Sequence, residues 1–477
     1  MLATSVWPQD PVPIYRTQRE FAEAADPAVC PNSNFLKGVK WSPDGACCLT
    51  AGDDKWLRVF DLPQDALDRP PEADAGDTGD DDGAGDANGG SSSSSSGGGG
   101  PAAAAAQHRR RPRRRAAGPP DSLCSALRVH AGEGVYDYAW FPGMTTADPA
   151  SCCFASTVQG HPLHMWDACS GALRCSYSAH DDADNPTAAY SLAFSPDGGK
   201  LLGGYSKCFR AFDVSRPGRD CRTVRTQRRG GEGSLPGIVS CLAFNPPCCD
   251  LLAAGSYSGG AALFDARTDE QLLLMRGHSG GVTQVSFSRD GNYLYSGARR
   301  DGDVICWDIR AGGGPLYRLP RAAGATNQRI AFDLDPSGRH LATGGCDGRV
   351  RVFDLRDGSE VGSFLAAPDT VSGCAFHPVM GLPLLATASG HRRYPLEPPD
   401  SDSDDDSDGG GGAGAGRRKR PRHGGRGGGG GFELGRDANA LRLWRLRVEW
   451  VECPAEGDAA MEAGEAESDD GIPLVHL

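Results

Sequence analysis

A short pattern recurs along the chain and constrains its fold more than any other feature. Its clearest copy is GHSGGVTQVSFSRDGNYLYSGARRDGDVICWDIR, residues 277–310, where alternating apolar strands flank a Ser-Arg-Asp-Gly turn and end in Trp-Asp. Alternation with period two, bounded by Gly and Asp turns, predicts β-strands. Related turns occur at 42–45, 141–142, 195–198, 245–246, 335–338 and 377–378. Related closing pairs are Phe60-Asp61, Trp166-Asp167, Phe212-Asp213, Phe264-Asp265, Phe353-Asp354 and Leu443-Trp444.

The number and spacing of these copies predict the architecture. Seven copies can be counted, and the closing pairs in the middle of the chain lie 43 to 52 residues apart. This period is close to the 40–45 residues of WD repeats, each of which builds one four-stranded propeller blade. We therefore predict an all-β fold, a seven-bladed WD-repeat β-propeller spanning residues 14–448. A buried hydrogen-bond network is expected in the best copy, formed by His278, Ser296, Asp301 and Trp307.

Two spacings are too long because low-complexity segments interrupt the repeats. Residues 66–122 run from acidic through Ser- and Gly-rich to Arg-rich, and residues 397–431 run from acidic through Gly-rich to basic. Neither contains enough apolar residues to offset the entropy of ordering, so we expect two disordered insertions, followed by an acidic tail over 449–477. These segments hold 25 of the 62 acidic and 13 of the 49 basic residues, so the net charge of -13 comes from them and the propeller itself is nearly neutral.

Ring closure is assigned to the N-terminus. The last repeat supplies strands near 370–376, 384–389 and 440–446 and lacks a fourth, while residues 14–23 form a strand pattern without a repeat. Pairing the two would remove the open edges of the array. In such a blade the loops between the second and third strands, and those leading into the first strand, share one face, here called the top face. The second insertion is expected on the top face and the first on the opposite face.

The cysteine pattern suggests a reducing compartment, and the hydropathy pattern bears on membrane spans. There are 17 cysteines and no CxxC motif, and the adjacent pairs at 47–48, 152–153 and 248–249 follow strand patterns, which is typical of small reduced core residues. No apolar run approaches the length needed to span a membrane.

No catalytic or metal centre is predicted, and no cofactor is expected. His161 and His164 are the nearest pair of histidines, and residues three apart in a strand point to opposite faces. The Gly-rich stretches that resemble phosphate-binding loops lie inside the low-complexity insertions. They lack the preceding strand and following helix that a phosphate-binding loop needs.

Several strings are more specific than the repeat itself. They are NFLKG at 34–38 followed by VKWSPDG, GVYDYAWFPGM, RPGRDC, SGARRDGDVICWDIR, NQRIAFDLDPSGRHLATGG and LPLLATASGHRRYPLEP. Together these strings resemble the telomerase Cajal body protein family, and the match extends over all seven repeats. The resemblance implies a propeller that binds the CAB-box loop of small Cajal-body RNAs and of telomerase RNA. Implied partners are H/ACA ribonucleoprotein components of the dyskerin type, the telomerase holoenzyme and coilin-like Cajal-body proteins.

Top-face residues are the candidates for RNA binding, because arginines hold phosphates and aromatic rings stack on unpaired bases. The candidates are Arg299, Arg300, Arg329, Arg392, Arg393, Tyr136 and Tyr257. Each arginine has an alternative role as a solvated loop charge or a partner of a nearby acid. For Arg299 and Arg300 the acids in question are Asp301 and Asp303.

The basic runs at 109–115 and 417–422 suit nuclear import signals or nonspecific RNA contacts, or are solvated charge beside acidic runs. The expected location is the nucleus and its Cajal bodies, with some protein in the cytoplasm. The alternative function is a generic WD-repeat scaffold that binds a peptide in a nuclear complex. Recovery of RNA with the protein would separate the two hypotheses.

Overall fold

The structure is a computed structural model, and it describes residues 4–6, 11–18, 20–21, 34–68, 121–227, 233–324, 326–392, 438–446 and 449–451. Most of its strands form seven sheets, which are the blades of a propeller and are each built on four antiparallel strands. In each blade, strands a to d run from the centre outwards. First strands of neighbouring blades lie against one another around the axis, for example Leu36–Trp41 beside Val371–Phe376.

The first four blades follow the chain in order. Blade 1 consists of Leu36–Trp41, Cys47–Gly52, Trp56–Asp61 and Leu127–His130. Blade 2 consists of Val135–Trp140, Cys153–Val158, Leu163–Asp167 and Leu173–Tyr177. Blade 3 consists of Ser191–Phe194, Lys200–Tyr205, Cys208–Asp213 and Cys221–Arg225. Blade 4 consists of Val239–Phe244, Leu251–Ser256, Gly260–Asp265 and Gln271–Arg276.

The remaining blades complete the ring. Blade 5 consists of Val282–Phe287, Tyr293–Ala298, Asp303–Asp308 and Pro315–Pro320. Blade 6 consists of Phe332–Leu334, His340–Thr343, Arg349–Asp354 and Glu360–Leu365. Blade 7 consists of Val371–Phe376, Leu384–Ser389, Leu441–Arg445 and the N-terminal strand Val12–Thr17. The predicted all-β fold, with seven blades closed by an N-terminal strand, is confirmed. Outside the blades lie the pairs Ala179–His180 with Pro186–Thr187 and Thr4–Val6 with Glu449–Val451, and one helical turn, Asp65–Asp68.

The Asp-Gly turns join strands a and b because each satisfies its own polar groups. In the first copy, Ser42 Oγ donates to Asp44 Oδ1 at 2.7 Å, and the N–H of Gly45 donates to the carbonyl of Ser42 at 2.8 Å. Gly45 has a φ of +75°, a left-handed conformation that a side chain disfavours. A reversal of this kind brings strand b back alongside strand a.

The core of the described residues lies between the blades rather than within any one of them. It consists of seven apolar clusters, and each joins two neighbouring blades. Middle strands are therefore buried on both faces, as in Cys47–Gly52 and Leu384–Ser389. A blade on its own would leave two apolar faces in water, so the ring folds as one domain.

The closing strand differs from its predicted bounds of 14–23. It spans Val12–Thr17 and pairs antiparallel with Leu441–Arg445. After Thr17 the chain leaves this sheet, and Phe21 packs against Phe60 of blade 1 with ring centroids 6.2 Å apart. The apolar residue that favoured a longer strand thus belongs to the core between blades 7 and 1.

The ends of the first insertion are ordered, which corrects its predicted bounds of 66–122. Residues 66–68 belong to the helical turn Asp65–Asp68. Asp121–Leu123 pairs parallel with Val12–Thr17 and gives blade 7 a fifth strand. Backbone pairing at a sheet edge needs no apolar composition, so composition alone could not find this strand. Residues 69–120 and the whole of 397–431 lie outside the described residues.

The tail predicted over 449–477 also begins differently. Glu449–Val451 pairs antiparallel with Thr4–Val6, and residues 452–477 lie outside the described part. Among the described residues, no helix has the length and apolar character needed to cross a membrane.

The cysteines occupy two kinds of environment. Those at 47–48 and 152–153 are buried, and burial raises the pKa of Cys47 to about 12 and of Cys153 to about 11. Cys248 and Cys249 do not fit the predicted strand pattern. They are exposed in the turn between strands a and b of blade 4, because the turn after Asn245 is longer than the Asp-Gly turns.

Candidate nucleic-acid interface

The candidate RNA-binding residues converge where the central channel opens on the top face. Seven side chains meet there, one from each blade or from the loop that enters it, and we call them the mouth ring. In blade order they are Lys37, Tyr136, Tyr190, Tyr257, Arg299, Arg329 and Arg392. Five of them were predicted from the sequence, whereas Lys37 and Tyr190 were not.

Arg329 is the central member of the mouth ring. Its Nη2 donates to the hydroxyl of Tyr257 at 2.7 Å, and to the carbonyls of Ser240 at 3.3 Å and Tyr190 at 3.4 Å. Arg329 enters blade 6, and its partners belong to blades 3 and 4, so its side chain reaches across the channel. Burial alone would lower the pKa of Arg329, but Tyr257 and Asp137 raise it. The hydrogen-bond partners of Arg329 Nη2 are thus a tyrosine hydroxyl and two carbonyls, and the contact of Arg329 with RNA stays a prediction.

Tyr257 is held between two arginines. The guanidinium carbon of Arg299 lies 4.3 Å from the centroid of the Tyr257 ring, and that of Arg329 lies at 5.8 Å. Contacts of this kind contribute about 0.5–1 kcal/mol at exposed sites and more when desolvated. The position of Arg299 at the mouth is thus set by its contact with Tyr257.

Tyr136 and Tyr190 form the aromatic side of the mouth ring. Their ring centroids lie 5.3 Å apart with an interplanar angle of 31°, and both residues are half-buried. The pKa of Tyr136 is raised by burial and by the neighbouring hydroxyls of Tyr190 and Tyr257. Tyr136 therefore remains a neutral phenol, which presents both a ring face and a hydrogen-bond donor at the mouth.

Lys37 and Arg392 complete the ring on the side of blades 7 and 1. Lys37 Nζ donates to the carbonyl of Val135 at 3.1 Å and lies 3.4 Å from Asp53. Burial lowers the pKa of Lys37, Asp53 raises it, and the charges of Arg392 and Arg329 lower it further. Arg392 is exposed, and its backbone N–H donates to Gln328 Oε1 at 3.1 Å. Lys37, Arg329 and Arg392 therefore lie close enough for the two guanidinium charges to act on the Lys37 ammonium.

Neither Arg299 nor Arg300 pairs with the acids that follow them, so the proposed neutralisation of Asp301 and Asp303 is wrong. Asp301 is engaged by His278, and Asp303 pairs with Arg318 at 3.3 Å. Arg300 is exposed and has a φ of +55°, with its N–H bound to the carbonyl of Thr326 at 3.0 Å. Arg393, the remaining candidate, lies outside the described residues.

Blade 5 contains a buried hydrogen-bond network beneath the loop between its second and third strands. Trp307 Nε1 donates to Ser296 Oγ at 2.7 Å, and His278 Nε2 lies 2.7 Å from the same oxygen. His278 Nδ1 lies 3.0 Å from Asp301 Oδ2. Burial lowers the pKa of His278, although Asp301 raises it, so the ring is neutral, donates from Nδ1 and accepts from the Ser296 hydroxyl. The network anchors the loop that carries Arg299 and Arg300.

The two histidines of blade 2 are closer than predicted. Their ring centroids lie 6.1 Å apart, because His161 belongs to the turn before the strand Leu163–Asp167 and is not bound by strand alternation. In the part of the chain that the structure describes, no group of three or more potential metal ligands comes together.

Sequence comparisons agree with this architecture. The family described as "WD domain, G-beta repeat" matches residues 29–61, 269–308 and 323–354, which correspond to blades 1, 5 and 6. The chain therefore contains WD repeats. It is 38% identical over 375 residues to human telomerase Cajal body protein 1, covering 77% of this chain and 59% of that protein. It is 34% identical over 366 residues to the Drosophila melanogaster homolog of that protein, covering 75% of this chain and 57% of the homolog.

A more distant similarity links this chain to a fission-yeast protein. It is 28% identical over 332 residues to guanine nucleotide-binding protein negative regulator 1 of Schizosaccharomyces pombe, covering 68% of this chain and 71% of that protein. The resemblance to telomerase Cajal body proteins, predicted from the sequence, is confirmed. The chain spans about three fifths of the length of the telomerase Cajal body proteins that it matches.

Proposed function

We propose that this protein is an RNA-binding scaffold that recognises the CAB-box loop of small Cajal-body RNAs and telomerase RNA. The observation that supports the proposal is the mouth ring, which brings three tyrosines and four cations to one opening. A single-stranded RNA loop needs such a combination, because its phosphates attract cations and its unstacked bases need flat surfaces.

The ring offers two kinds of flat surface for a base. Tyr136 presents a half-buried aromatic face, and Arg299 presents the side of its guanidinium that is turned away from Tyr257. Lys37 and Arg392 lie beside these surfaces and attract phosphates. An A-form duplex displays neither unstacked bases nor a readable major groove, so this site favours a loop over a helix.

The cellular role follows from the relatives. Their names place them with telomerase and the Cajal body, and we propose the same association here, through H/ACA components of the dyskerin type, the telomerase holoenzyme and coilin-like proteins. The protein would thereby help to localise these particles and support telomere maintenance, as a scaffold without catalysis of its own. The names give no support to a cytoplasmic fraction.

Direct binding tests the proposal. A fluorescent hairpin carrying the CAB-box loop is titrated with the full chain, alongside the same hairpin with its loop closed by an unrelated tetraloop. We expect Tyr136→Ala to weaken binding of the first hairpin by about 1–3 kcal/mol, the usual contribution of one stacked base. Tyr293→Ala is the matched control, because Tyr293 is a half-buried tyrosine next to the a–b turn of blade 5, on the opposite face.

The same protein purified from cells distinguishes the scaffold alternative. Recovery of H/ACA-type small RNAs supports RNA binding. Equal affinity for both hairpins, together with a set of protein partners that ribonuclease does not change, would overturn the proposal in favour of a peptide-binding scaffold.

A further inference from the structure

A second group of cations lies on blade 3, outside the mouth ring. Lys207 occupies the turn between strands b and c, Arg210 lies in strand c, and Arg225 ends strand d, directly opposite Cys208 of strand c. Directly paired residues and residues two apart share one face of a sheet, so Arg210 and Arg225 lie on the same face. Lys207 and Arg225 are exposed. We call these three residues the blade 3 patch.

The equivalent arginines of blades 1 and 6 have an acidic partner four residues earlier. Arg58 of blade 1 pairs with Asp54 at 2.5 Å, and Arg351 of blade 6 pairs with Asp347 at 2.6 Å. In blade 3 the position four residues before Arg210 is Ser206. Arg210 instead lies over the ring of Tyr205, 5.1 Å from its centroid, and its buried Nε has no hydrogen-bond partner.

The part of the chain that the structure describes holds no counter-charge for the patch. Within the described residues, no carboxylate lies at ion-pair distance from Lys207, Arg210 or Arg225. Other exposed arginines of the same blade behave differently, since Arg219 pairs with Asp184 at 3.2 Å and Arg222 pairs with Asp269. The patch therefore combines three cations that would repel one another without a counter-charge, which is an arrangement that suits a polyanion.

The patch is continuous with the mouth ring through the backbone. The N–H of Lys207 donates to the carbonyl of Gly237 at 2.7 Å, and Ser206 forms a bridge with Ile238. The carbonyl of Ile238 accepts from the N–H of Tyr257 at 3.0 Å. One segment thus links the turn that carries Lys207 to the tyrosine at the mouth.

We infer that the blade 3 patch binds the phosphodiester backbone of the RNA stem that leads away from a loop seated in the mouth ring. The inference rests on the proposed function and extends it, since it assigns a second contact to the same RNA. Lys207 and Arg225 contact phosphates directly, while Arg210 holds the local potential positive. The loop determines which RNA is bound, and the patch adds affinity that does not depend on sequence.

Two RNA probes test the inference: a linear oligonucleotide of the loop sequence, and a hairpin in which a ten-base-pair stem carries that loop. Affinity for each is measured against salt concentration for the full chain. With Lys207→Ala and Arg225→Ala together, we expect hairpin affinity to fall about 60-fold at 0.1 M salt and its log-log salt slope to flatten by about 1.8, or about 0.9 for each duplex phosphate contact, with the linear oligonucleotide unaffected. Ser206→Asp, which restores the acid of blades 1 and 6, should weaken hairpin binding in the same direction without removing a side chain.

The control variant carries Arg219→Ala and Arg222→Ala, which removes two paired arginines from the same blade. Hairpin binding that matches the parent protein in the Lys207 and Arg225 variant, or an equal loss for both probes, overturns the patch. Loss of the same size in the control variant would show an effect of net charge and also overturns it. Failure of the parent protein to bind either probe overturns the proposed function, and the patch falls with it.

Discussion

The guanidinium of Arg299 lies 4.3 Å above the ring of Tyr257, and the hydroxyl of that tyrosine accepts a hydrogen bond from Arg329. The two arginines come from blades 5 and 6, and the tyrosine comes from blade 4. Tyr257 therefore fixes the positions of charges that belong to two other blades. Arg299 contacts the face of the Tyr257 ring, whereas Arg329 donates from Nη2 to the Tyr257 hydroxyl and to two backbone carbonyls.

Replacing Arg299 tests this division of roles. We expect Arg299→Ala to weaken binding of a CAB-box hairpin and to flatten its log-log salt slope by about 0.7, the value for one phosphate contact with single-stranded RNA. Stability should fall by no more than about 1 kcal/mol, the size of one exposed cation–π contact. Titrations at four salt concentrations and a thermal melt provide both numbers.

Arg300 is the neighbour against which that result is judged. Arg300 is exposed, and its hydrogen bond to Thr326 is made by its backbone N–H. Arg300→Ala should therefore flatten the log-log salt slope by a similar amount without any change in the melting temperature. If both variants keep the parent slope while remaining folded, the arginines of this loop are not phosphate ligands.

The ring closure depends on Phe21, which is 1% exposed and packs against Phe60. We expect Phe21→Ala to reduce the free energy of unfolding by about 3–5 kcal/mol, the usual cost of a large cavity in a core. Removal of residues 1–24 should cost more, because it also deletes the strand Val12–Thr17. Gln18→Ala is the control, since Gln18 is exposed in the same segment, and chemical denaturation measures all three. A parent-like midpoint for the truncated chain would refute closure by this strand.

Asp333 predicts a loss of stability at high pH. Burial raises its pKa to about 7 from an ordinary value of 3.8, and its Oδ2 accepts from the N–H of Phe376 at 2.8 Å. Between these two values the folded chain binds more protons than the unfolded chain, so this group lowers stability as the pH rises. Asn has an acceptor in the same position and no charge. Asp333→Asn should therefore be more stable than the parent at pH 8, by roughly 4 kcal/mol, and the advantage should vanish near pH 4. A constant difference across the range would contradict the assignment.

His377 predicts the opposite dependence at acidic pH. It is buried between Trp41 and Gly45, its Nε2 donates to the carbonyl of Gly45 at 3.0 Å, and burial lowers its pKa below 6.5. The unfolded chain takes up a proton as the pH falls through 6.5 while the folded chain does not, so stability present above pH 6.5 is lost below it. Melting temperatures should fall between pH 7 and pH 5, and His377→Phe should fall less steeply. His161→Phe, at an exposed position, should follow the parent profile.

The repeat pattern was sufficient to predict the blades because each blade has the same physical requirements. A turn such as 42–45 needs a left-handed Gly, and middle strands such as Cys47–Gly52 need small or apolar residues on both faces. These requirements are local, so they are visible in the sequence. The face on which Arg299 and Tyr257 lie followed from strand alternation alone.

The missed features depend on contacts between distant segments. Tyr190 was overlooked because its loop has no repeat signature, although it stands four residues before the end of strand a, as Tyr136 does in blade 2. Lys37 lies inside the string NFLKG at 34–38, which indicates the family resemblance but has no pattern of its own that marks a binding residue. The strand Asp121–Leu123 is recognised by its partner Val12–Thr17 and not by its own composition.

That fifth strand has a mechanical consequence. Asp121–Leu123 is paired to blade 7 but continues within three residues into Leu127–His130, the outer strand of blade 1. The segment that follows the N-terminal strand crosses the same seam, where Phe21 packs against Phe60. A force that separates blades 7 and 1 must therefore slide two adjacent strands along their lengths and load many backbone hydrogen bonds at once, instead of peeling one edge bond by bond. The seam where the ring is joined should resist tension better than its apolar area alone would suggest.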